Sequence, residues 1–436
     1  MHPLVLASLA LALAAPLAVA AAEPTEIEVL RQEIAAIRSA YEVRLQALEQ
    51  RLQTAEANRA AAPPPAPPAA PTIAPAAGAN AFNPAISLIL SGVYTNTSRD
   101  PAGYAIKGFA LPAGAEAGPG NRGFSLAETE LGLAANIDPW LRGATSIALH
   151  ADNSVSVEEA YVQTTALGSG LGIKAGRFFS GVGYLNAQHA HTWDFVDNPL
   201  AYQAMLGTQY GDDGVQLSWL APTDLYLELN AELGRGRGFP GGDGARNGAG
   251  MRALALHTGG DIGDSHNWRA GLSVLSAKAS EQALIATDAA GSTVTNLFSG
   301  RTRVWIADAV WKWAPHGNAT QTSFKLQGEV LRSTRSGSLT SEAGSAADTD
   351  TTQSGWYLQG IYQFMPRWRT GLRIERLDAG NGLRPQKNTL MLDFNPSEFS
   401  RVRLQFAQDQ ARFGATDRQL FLQYQMSLGA HGAHGY

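Results

Sequence analysis

Two histidines one residue apart stand in a segment rich in side chains that bind metals or order a loop. His189 and His191 lie between residues 181 and 212, together with three other polar residues, Asp194, Asp197 and Tyr202. Imidazole and carboxylate are both suitable zinc ligands, so this HxH pair with two nearby carboxylates is a candidate metal site. The alternative is that these polar side chains only order the loop and shape the space around it.

The chain carries no recognisable signature of a catalytic centre. It has no cysteine, which excludes thiol catalysis, cysteine-ligated zinc and iron–sulfur clusters. It has no G-x-S-x-G, H-E-x-x-H or P-loop motif, and the G-x-G-x-x-G run at 118–123 neither follows a strand directly nor opens a helix. The HxxH pair His431 and His434 has low specificity, and a structural or solvated role is the simpler interpretation. We expect no enzymatic activity and no cofactor, with an unrecognised Ser/His or Asp/His set as the enzymatic alternative.

Composition excludes nucleic acid as a partner and points to an apolar environment. The 436 residues include 33 basic and 38 acidic side chains, a net charge of −5, so the basic excess needed to bind phosphate backbones is missing. Only 16% of the residues are charged, against about a quarter in an average soluble protein. Much of the surface is therefore expected to contact something apolar.

From residue 84 onward, apolar and polar residues alternate with period two, as in β-strands with one apolar face. Such alternation fits a soluble β-sandwich as well as a membrane barrel. The turns favour the barrel, because short connections alternate with long ones, as periplasmic turns and outer loops do. The predicted long connections are 100–122, 181–212, 235–248, 280–300 and 335–353. The prediction is an all-β, transmembrane, antiparallel barrel of about sixteen strands.

If the strands close into a barrel, charged residues on their polar faces line the lumen, where rings of charge set ion preference. The candidates are eight basic residues, Arg142, Lys174, Arg269, Lys325, Arg369, Arg373, Arg401 and Arg403, and four acidic residues, Glu128, Glu130, Glu159 and Glu329. The basic cluster on the late strands could attract anions. The alternative is that these residues form salt bridges that only stiffen the wall.

The N-terminal region divides into three segments before the barrel at 84–436. Residues 1–22 form an apolar run ending in small residues, which predicts a cleaved signal peptide, with an uncleaved anchor helix as the alternative. Residues 23–59 carry a heptad seam, which predicts a periplasmic coiled coil that associates with copies of itself, or else a single amphipathic helix. Residues 60–83 form an Ala/Pro-rich linker.

Several short motifs carry a resemblance to porins. Glu159-Ala160-Tyr161-Val162, followed by Ala175-Gly176-Arg177-Phe178-Phe179, resembles a strand pair of phosphate-selective-type porins, and the stalk with its barrel is similar to the trimeric DcaP-like porins. The segments 193–197, 207–215 and 426–434 resemble an uncharacterised proteobacterial family often labelled a zinc-regulated TonB-dependent outer-membrane receptor. That label is at odds with about sixteen strands, because TonB-dependent transporters have 22 strands and a globular plug.

The resemblance implies that the third outer loop, here 181–212, folds into the lumen and sets a constriction with His189, His191, Asp194, Asp197 and Tyr202. We therefore expect a passive diffusion channel of the outer membrane for small hydrophilic solutes, with anions as one candidate class. The expected partners are outer-membrane lipid, lipopolysaccharide, the barrel assembly machinery and two further copies of the chain, with peptidoglycan as a candidate. The alternatives are a TonB-coupled receptor for zinc or another ligand, and a structural tether of the envelope.

Overall fold

A computed structural model describes Gln46, Gln50 and residues 84–242, 247–287 and 292–429. The chain divides into two units, Met1–Ala77 and Gly78–Tyr436. In the first unit the two described residues are helical and exposed. Among the described residues, no helix is both long and apolar enough to cross a membrane.

Four predictions fall wholly or mostly outside the described residues. They are the signal peptide at 1–22, the coiled coil at 23–59, of which only Gln46 and Gln50 are described, the linker at 60–83, and the His431 and His434 pair. All four stay predictions.

The described part of the second unit is built almost entirely of antiparallel strands. In chain order they are β1 (Ala85–Thr97), β2 (Leu111–Pro112), β3 (Gly123–Leu126), β4 (Thr129–Asn136), β5 (Leu141–Leu149), β6 (Val155–Thr164), β7 (Leu171–Phe179), β8 (Gly211–Leu220), β9 (Tyr226–Gly234), β10 (Met251–Ile262), β11 (His266–Thr287), β12 (Thr293–Trp313), β13 (Ser323–Thr340), β14 (Ala346–Met365), β15 (Trp368–Asp378), β16 (Gln386–Ser397), β17 (Ser400–Asp409) and β18 (Asp417–Gly429). One α-helix, α1 (Leu200–Leu206), and two 3₁₀ turns, Ala190–Thr192 and Pro315–Gly317, complete the described elements.

The sheet closes on itself into a barrel. Consecutive strands pair as neighbours, and β18 pairs back onto β1 from Ser87 opposite Gly429 to Thr97 opposite Gln419. On its other side β1 pairs with both β3 and β4, which therefore form one stave. The two-residue β2 lies in the first long connection and pairs with the end of β11. The wall thus has sixteen staves, which confirms the predicted antiparallel barrel and its strand count.

The strands have an apolar outer face and a buried inner face. On β10, the inward-facing Met251, Ala253 and Ala255 are buried, while the outward-facing Leu254 and Leu256 are exposed. Around the barrel the exposed apolar residues stand side by side, as where Leu390 pairs with Leu372 and with Phe406. Because a barrel leaves no open edge and presents apolar side chains outward, this wall fits a lipid bilayer.

Two predicted long loops are instead extended hairpins. The expected connection 280–300 is largely the continuation of β11 and β12, which pair as far as Thr287 opposite Thr293. The expected connection 335–353 is likewise the paired end of β13 and β14, up to Thr340 opposite Ala346. The two segments contain seven Thr residues, and β-branched residues favour strands. Leu284 and Phe298 on the first hairpin are also buried.

A substitution on the outer face tests the membrane position of the wall. Leu390→Arg places a charge among exposed apolar neighbours and should lower the free energy of unfolding in a lipid bilayer by about 2–4 kcal/mol. Thr349→Arg, on the exposed end of the β13–β14 hairpin, is the control and should change it little. Equal effects of the two variants in reversible urea unfolding from liposomes would contradict a lipid-facing position for Leu390.

Candidate functional site

The connection between β7 and β8, residues 180–210, folds into the barrel and is called the inserted loop below. All seven residues of its helix α1 are buried, and α1 packs against β13, β14 and β15. The helix ends at Leu206, and the next residue, Gly207, has a left-handed backbone (φ 65°), which favours glycine. A helix of two turns is not stable alone in water. Its position must therefore come from contacts with the wall.

Glu329 of β13 fastens the first part of the inserted loop. Its carboxylate accepts hydrogen bonds from the backbone N–H groups of Tyr184 and Leu185, both at 3.1 Å, and from the Tyr202 hydroxyl at 2.8 Å. The loop passes so close that a Cβ on Gly183, which has a φ of +69°, would lie 2.5 Å from Glu329 Oε2. This glutamate, predicted to line the pore, is 1% exposed and lies under the loop.

Asp197 fastens the middle of the loop to the nearby strands β15 and β16. Its Oδ1 lies 2.8 Å from Nη2 of Arg373, and its Oδ2 pairs with Lys387 Nζ. Gln405 donates a further hydrogen bond at 2.9 Å, and Arg373 also pairs with Glu375 at 2.8 Å. Burial alone would raise the pKa of Asp197, but Lys387 and Arg373 outweigh it and hold the pKa well below its usual range.

Asp194 makes a second attachment next to the first. It pairs with Lys325 and lies 3.6 Å from Arg369, and these charges lower the pKa of Asp194 although burial opposes them. Arg369 in turn contacts Asp393, which also pairs with Arg403 at 2.7 Å. Arg403 completes the link by donating to the Trp193 carbonyl at 3.0 Å. The late-strand basic residues therefore hold the loop as well as pairing with carboxylates of the wall.

An apolar core fills the interior between the inserted loop and the first long connection, 98–122. One continuous cluster joins residues of both segments to inward-facing residues of the wall, among them Ile106, Phe109, Leu185, Trp193, Leu206, Leu275, Ile306 and Leu331. Leu275, Ile306 and Leu331 are all 0% exposed. This part of the lumen is packed with side chains, like the inside of a globular protein.

The two loop histidines lie against glutamates of the facing wall. We call this group the His–Glu cluster, and it contains Glu128, Glu130, Glu158, Glu159, His189 and His191. Oε2 of Glu130 lies 3.2 Å from Nδ1 of His189 and 3.0 Å from Nδ1 of His191. Glu128 Oε1 lies 3.7 Å from His191 Nδ1. Nε2 of His189 is hydrogen-bonded to Glu159 Oε2 at 3.0 Å.

Local backbone structure brings these side chains together. His191 lies in the 3₁₀ turn Ala190–Thr192 and His189 directly precedes it, and the two rings stack with centroids 5.6 Å apart. A register shift pairs Ser146 with Glu159 but Ile147 with Val157, so Glu158 is an extra, bulged residue. A bulge re-aims side chains, and both consecutive glutamates here reach His189.

The carboxylates control the protonation of the loop histidines. Burial alone would lower the pKa of His189 and His191. Hydrogen bonds and charges from Glu130, Glu158 and Glu159 outweigh burial and raise the pKa of His189 well above its usual range. Glu128 and Glu130 raise the pKa of His191 in the same way. The glutamates around them therefore shift both imidazoles toward the protonated form.

Water reaches the interior mainly along one side of the wall. The inward-facing residues of β16, β17 and β18 are buried, for example Met391, Gln405 and Gln419. On β5–β8 six of them are partly or fully exposed, and we call these six residues the open strip: Arg142, Tyr161, Gln163, Lys174, Gln216 and Ser218. Glu159 and His189 adjoin the strip, with side chains 15% and 20% exposed.

The structure divides the predicted pore-lining charges into two sets. Glu329, Glu130, Arg373 and Arg403 face the interior but are buried. Arg142 is exposed, and the others are partly exposed: Lys174, Arg269, Lys325, Arg369, Arg401, Glu128 and Glu159. Of the predicted loop residues, Asp194, Asp197 and Tyr202 attach the loop to the wall, whereas His189 and His191 face the open strip.

Two residues of the site were missed from the sequence. Lys387 is the second residue of β16 but is not among the predicted pore-lining charges. Glu158 falls on the outer face by strict alternation and turns inward only because of the bulge. The apolar core could have been predicted from the sequence, because the consecutive residues Val304, Trp305 and Ile306 place apolar side chains on both faces of one strand.

Comparison with known proteins finds one sequence relative and several barrels of similar architecture. An uncharacterized protein of Aquifex aeolicus (strain VF5) is 31% identical over 391 residues, covering 82% of this chain and 80% of the relative. No protein-family model matches.

Among solved structures, an anion-selective porin from Comamonas acidovorans matches with 12% identity over 79% of this chain and 99% of its own, at a TM-score of 0.49. The outer membrane channel DcaP of Acinetobacter baumannii matches with 11% identity over 79% and 96%, at a TM-score of 0.46. The trimer form of OmpT, an outer membrane protein of Vibrio cholerae, matches with 10% identity over 79% and 98%, also at 0.46.

Removing one partner of a buried ion pair tests how much that pair contributes to the free energy of unfolding. Arg373→Met leaves Asp197 and Glu375 short of a cation in a buried site, so the free energy of unfolding should fall by about 3–5 kcal/mol. The matched control is Arg384→Met, because Arg384 is 79% exposed and lies 3.8 Å from Asp378, and such a pair contributes less than about 1 kcal/mol. Similar midpoints for both variants in denaturant unfolding would show that the loop is not held by Arg373.

Proposed function

The chain belongs to the same family as the Aquifex aeolicus protein, and we propose that it is an outer-membrane channel of the porin type that lets small hydrophilic solutes diffuse passively. No catalytic activity is part of the proposal. The observation that carries it is the open strip, a polar and partly exposed side of an otherwise filled lumen.

The wall supports the membrane part of this proposal. A closed antiparallel barrel satisfies its backbone hydrogen bonds internally, which is the condition for spanning lipid with strands. Its outward-facing leucines, such as Leu254 at 60% exposure, have no contacts within the chain that bury them. We place this band against outer-membrane lipid and lipopolysaccharide, with the short turns in the periplasm.

The packing of the interior supports a narrow route. The inserted loop and the connection 98–122 fill the lumen with an apolar core on one side, and the ion pairs of Asp194 and Asp197 fill the side of the late strands. What is left for solutes is the space along the open strip, past Glu159 and His189. A route of this kind admits small polar solutes and excludes larger ones on size.

The charges along this route favour cations over anions. Four glutamates of the His–Glu cluster face two imidazoles, so the cluster carries net negative charge whether or not the histidines are protonated. The basic residues that suggested anion preference, such as Arg373 and Arg403, are instead paired with carboxylates under the loop. Lys174 and Arg142 on the open strip reduce the net negative charge along the route, but the glutamates around His189 keep it negative there.

The strand count argues against the receptor alternative. TonB-dependent transporters close with 22 strands around a separate plug domain. The described wall has sixteen staves, and the residues that fill it come from its own loops.

Association into a homotrimer through residues 23–59 is also part of the proposal, and chemical cross-linking of the full chain measures it. The tether alternative also depends on the N-terminal segment, which lies outside the described residues.

Conductance in a planar bilayer tests the function directly. The purified protein should give discrete openings of low conductance, with a reversal potential in a salt gradient that reports cation preference. Glu158→Gln with Glu159→Gln should shift the reversal potential toward zero, because two negative charges are removed from the route. Glu281→Gln with Glu342→Gln, two exposed glutamates on the outer hairpins, is the charge-matched control.

Folded protein that gives no openings would contradict the channel, and heat-modifiable migration in detergent gels establishes that the barrel has folded. Openings with an unchanged reversal potential in the Glu158 and Glu159 variant would place the route elsewhere in the lumen.

A second experiment tests whether the apolar core narrows the lumen. Met205 and Leu206 of α1 are 2% and 1% exposed, and Met205→Asp with Leu206→Asp would bury two carboxylates in an apolar environment at high cost. The inserted loop should then leave its position, and the unitary conductance should rise. Leu167→Asp, in an exposed short turn, should leave it as in the wild type. An unchanged conductance in a folded double variant would show that α1 does not restrict the route.

A further inference from the structure

We propose that the His–Glu cluster is a binding site for a divalent first-row transition-metal cation such as Zn²⁺. His189 Nδ1, His191 Nδ1 and Glu130 Oε2 are the proposed ligand atoms, with Glu128 Oε1 as the fourth. These four atoms all lie within 4.8 Å of one another. The proposal concerns binding alone and does not depend on whether the barrel conducts.

Three of the six separations between the four atoms are close to those around a tetrahedral ion. With metal–ligand bonds of 2.0–2.1 Å, ligand atoms at the corners of a tetrahedron are about 3.3 Å apart. Glu130 Oε2 lies 3.2 Å and 3.0 Å from the two Nδ1 atoms, and Glu128 Oε1 lies 3.7 Å from His191 Nδ1. The remaining separations are at most 4.8 Å, so the side chains need only close in around the ion to bring all four atoms onto it.

The second nitrogen of His189 is held as metal-bound histidines usually are. Its Nε2 is hydrogen-bonded to Glu159 Oε2 at 3.0 Å, and the other oxygen of Glu159 accepts a hydrogen bond from the Phe179 N–H at 3.0 Å. A carboxylate on the far nitrogen fixes the ring and its tautomer, so that Nδ1 presents a lone pair to the ion. Glu159 is a positioning residue in this arrangement.

The charge and hydrogen bonding of the cluster also favour a cation. Oε1 of Glu128 and Oε2 of Glu130 are shielded from water, and their charged neighbours among the described residues are the Nδ1 atoms of the two histidines. Buried carboxylates this close to one another repel unless positive charge lies between them. With neutral imidazoles the four glutamates carry a charge of about −4, which a divalent ion would halve. Mixed imidazole and carboxylate ligands suit zinc and its first-row neighbours.

Calorimetric titration of the chelator-treated full-length protein with Zn²⁺ alone tests the site. The wild type should bind one equivalent tightly at the cluster, and His189→Ala with His191→Ala should weaken that binding by more than about 100-fold, because it removes ligands rather than outer partners. Two variants each remove two histidines elsewhere and should keep wild-type affinity: His257→Ala with His266→Ala, and His431→Ala with His434→Ala.

Glu159→Gln separates metal binding from a purely structural role and covers the case in which the double histidine variant does not fold. It keeps the side-chain shape and should weaken Zn²⁺ binding about 10- to 100-fold. Co²⁺ bound to the wild type should show the visible absorption of a tetrahedral site, reduced in this variant. Unchanged Zn²⁺ affinity in the folded double histidine variant, or loss of binding only in the His431 and His434 variant, would overturn the proposal.

Discussion

The buried ion pairs of Asp194 and Asp197 fix the inserted loop, and the rest of the interior depends on them. Each aspartate meets two cations from different strands: Lys325 and Arg369 for Asp194, Arg373 and Lys387 for Asp197. Burying charges has a large desolvation cost, so such pairs add little net stability compared with apolar packing. They do disfavour other placements of the loop, because a displaced Asp197 would take a carboxylate away from the buried Lys387 and Arg373.

A wide barrel needs this kind of attachment. Sixteen staves enclose more space than their own inward-facing side chains can fill, so residues from the connections must occupy it or water will. The apolar core made by the inserted loop and the connection 98–122 supplies the burial, but apolar contacts have little directional preference. The hydrogen bonds of Glu329 and the ion pairs of the two aspartates supply the direction, and they place α1 on one side of the lumen. The opposite side, along the open strip, is left to water.

The sequence predicts the wall better than the interior, for a physical reason. Alternation with period two and the spacing of turns are repeated along the chain, so sixteen strands emerge even though several boundaries are displaced. The extended ends of β11 and β13 were missed because these hairpins are rich in Ser, Thr, Asp and Gly, which are also typical of loops.

The candidate site depends on local features, a β-bulge and the path of one loop, that do not repeat along the sequence and so form no recognisable pattern. The bulge at Glu158 reverses one side chain, and the loop path decides that Asp197 meets Lys387 while His189 meets Glu159. Residue types in the loop could be identified from the sequence as chemically capable. Their partners could not, because those lie on strands tens to hundreds of residues away.

The sign of the field in the lumen is hard to predict from residue types alone. The basic cluster on the late strands suggests that this part of the lumen attracts anions. The loop reverses this result by adding carboxylates where the basic residues are: Asp194 and Asp197 join Glu375 and Asp393 in neutralising the late strands. On the facing wall it adds two imidazoles to four glutamates, which is too little to neutralise them. The loop therefore leaves the negative charge on the side where water has access, and the proposed cation preference and the proposed divalent-cation site both rest on this asymmetry.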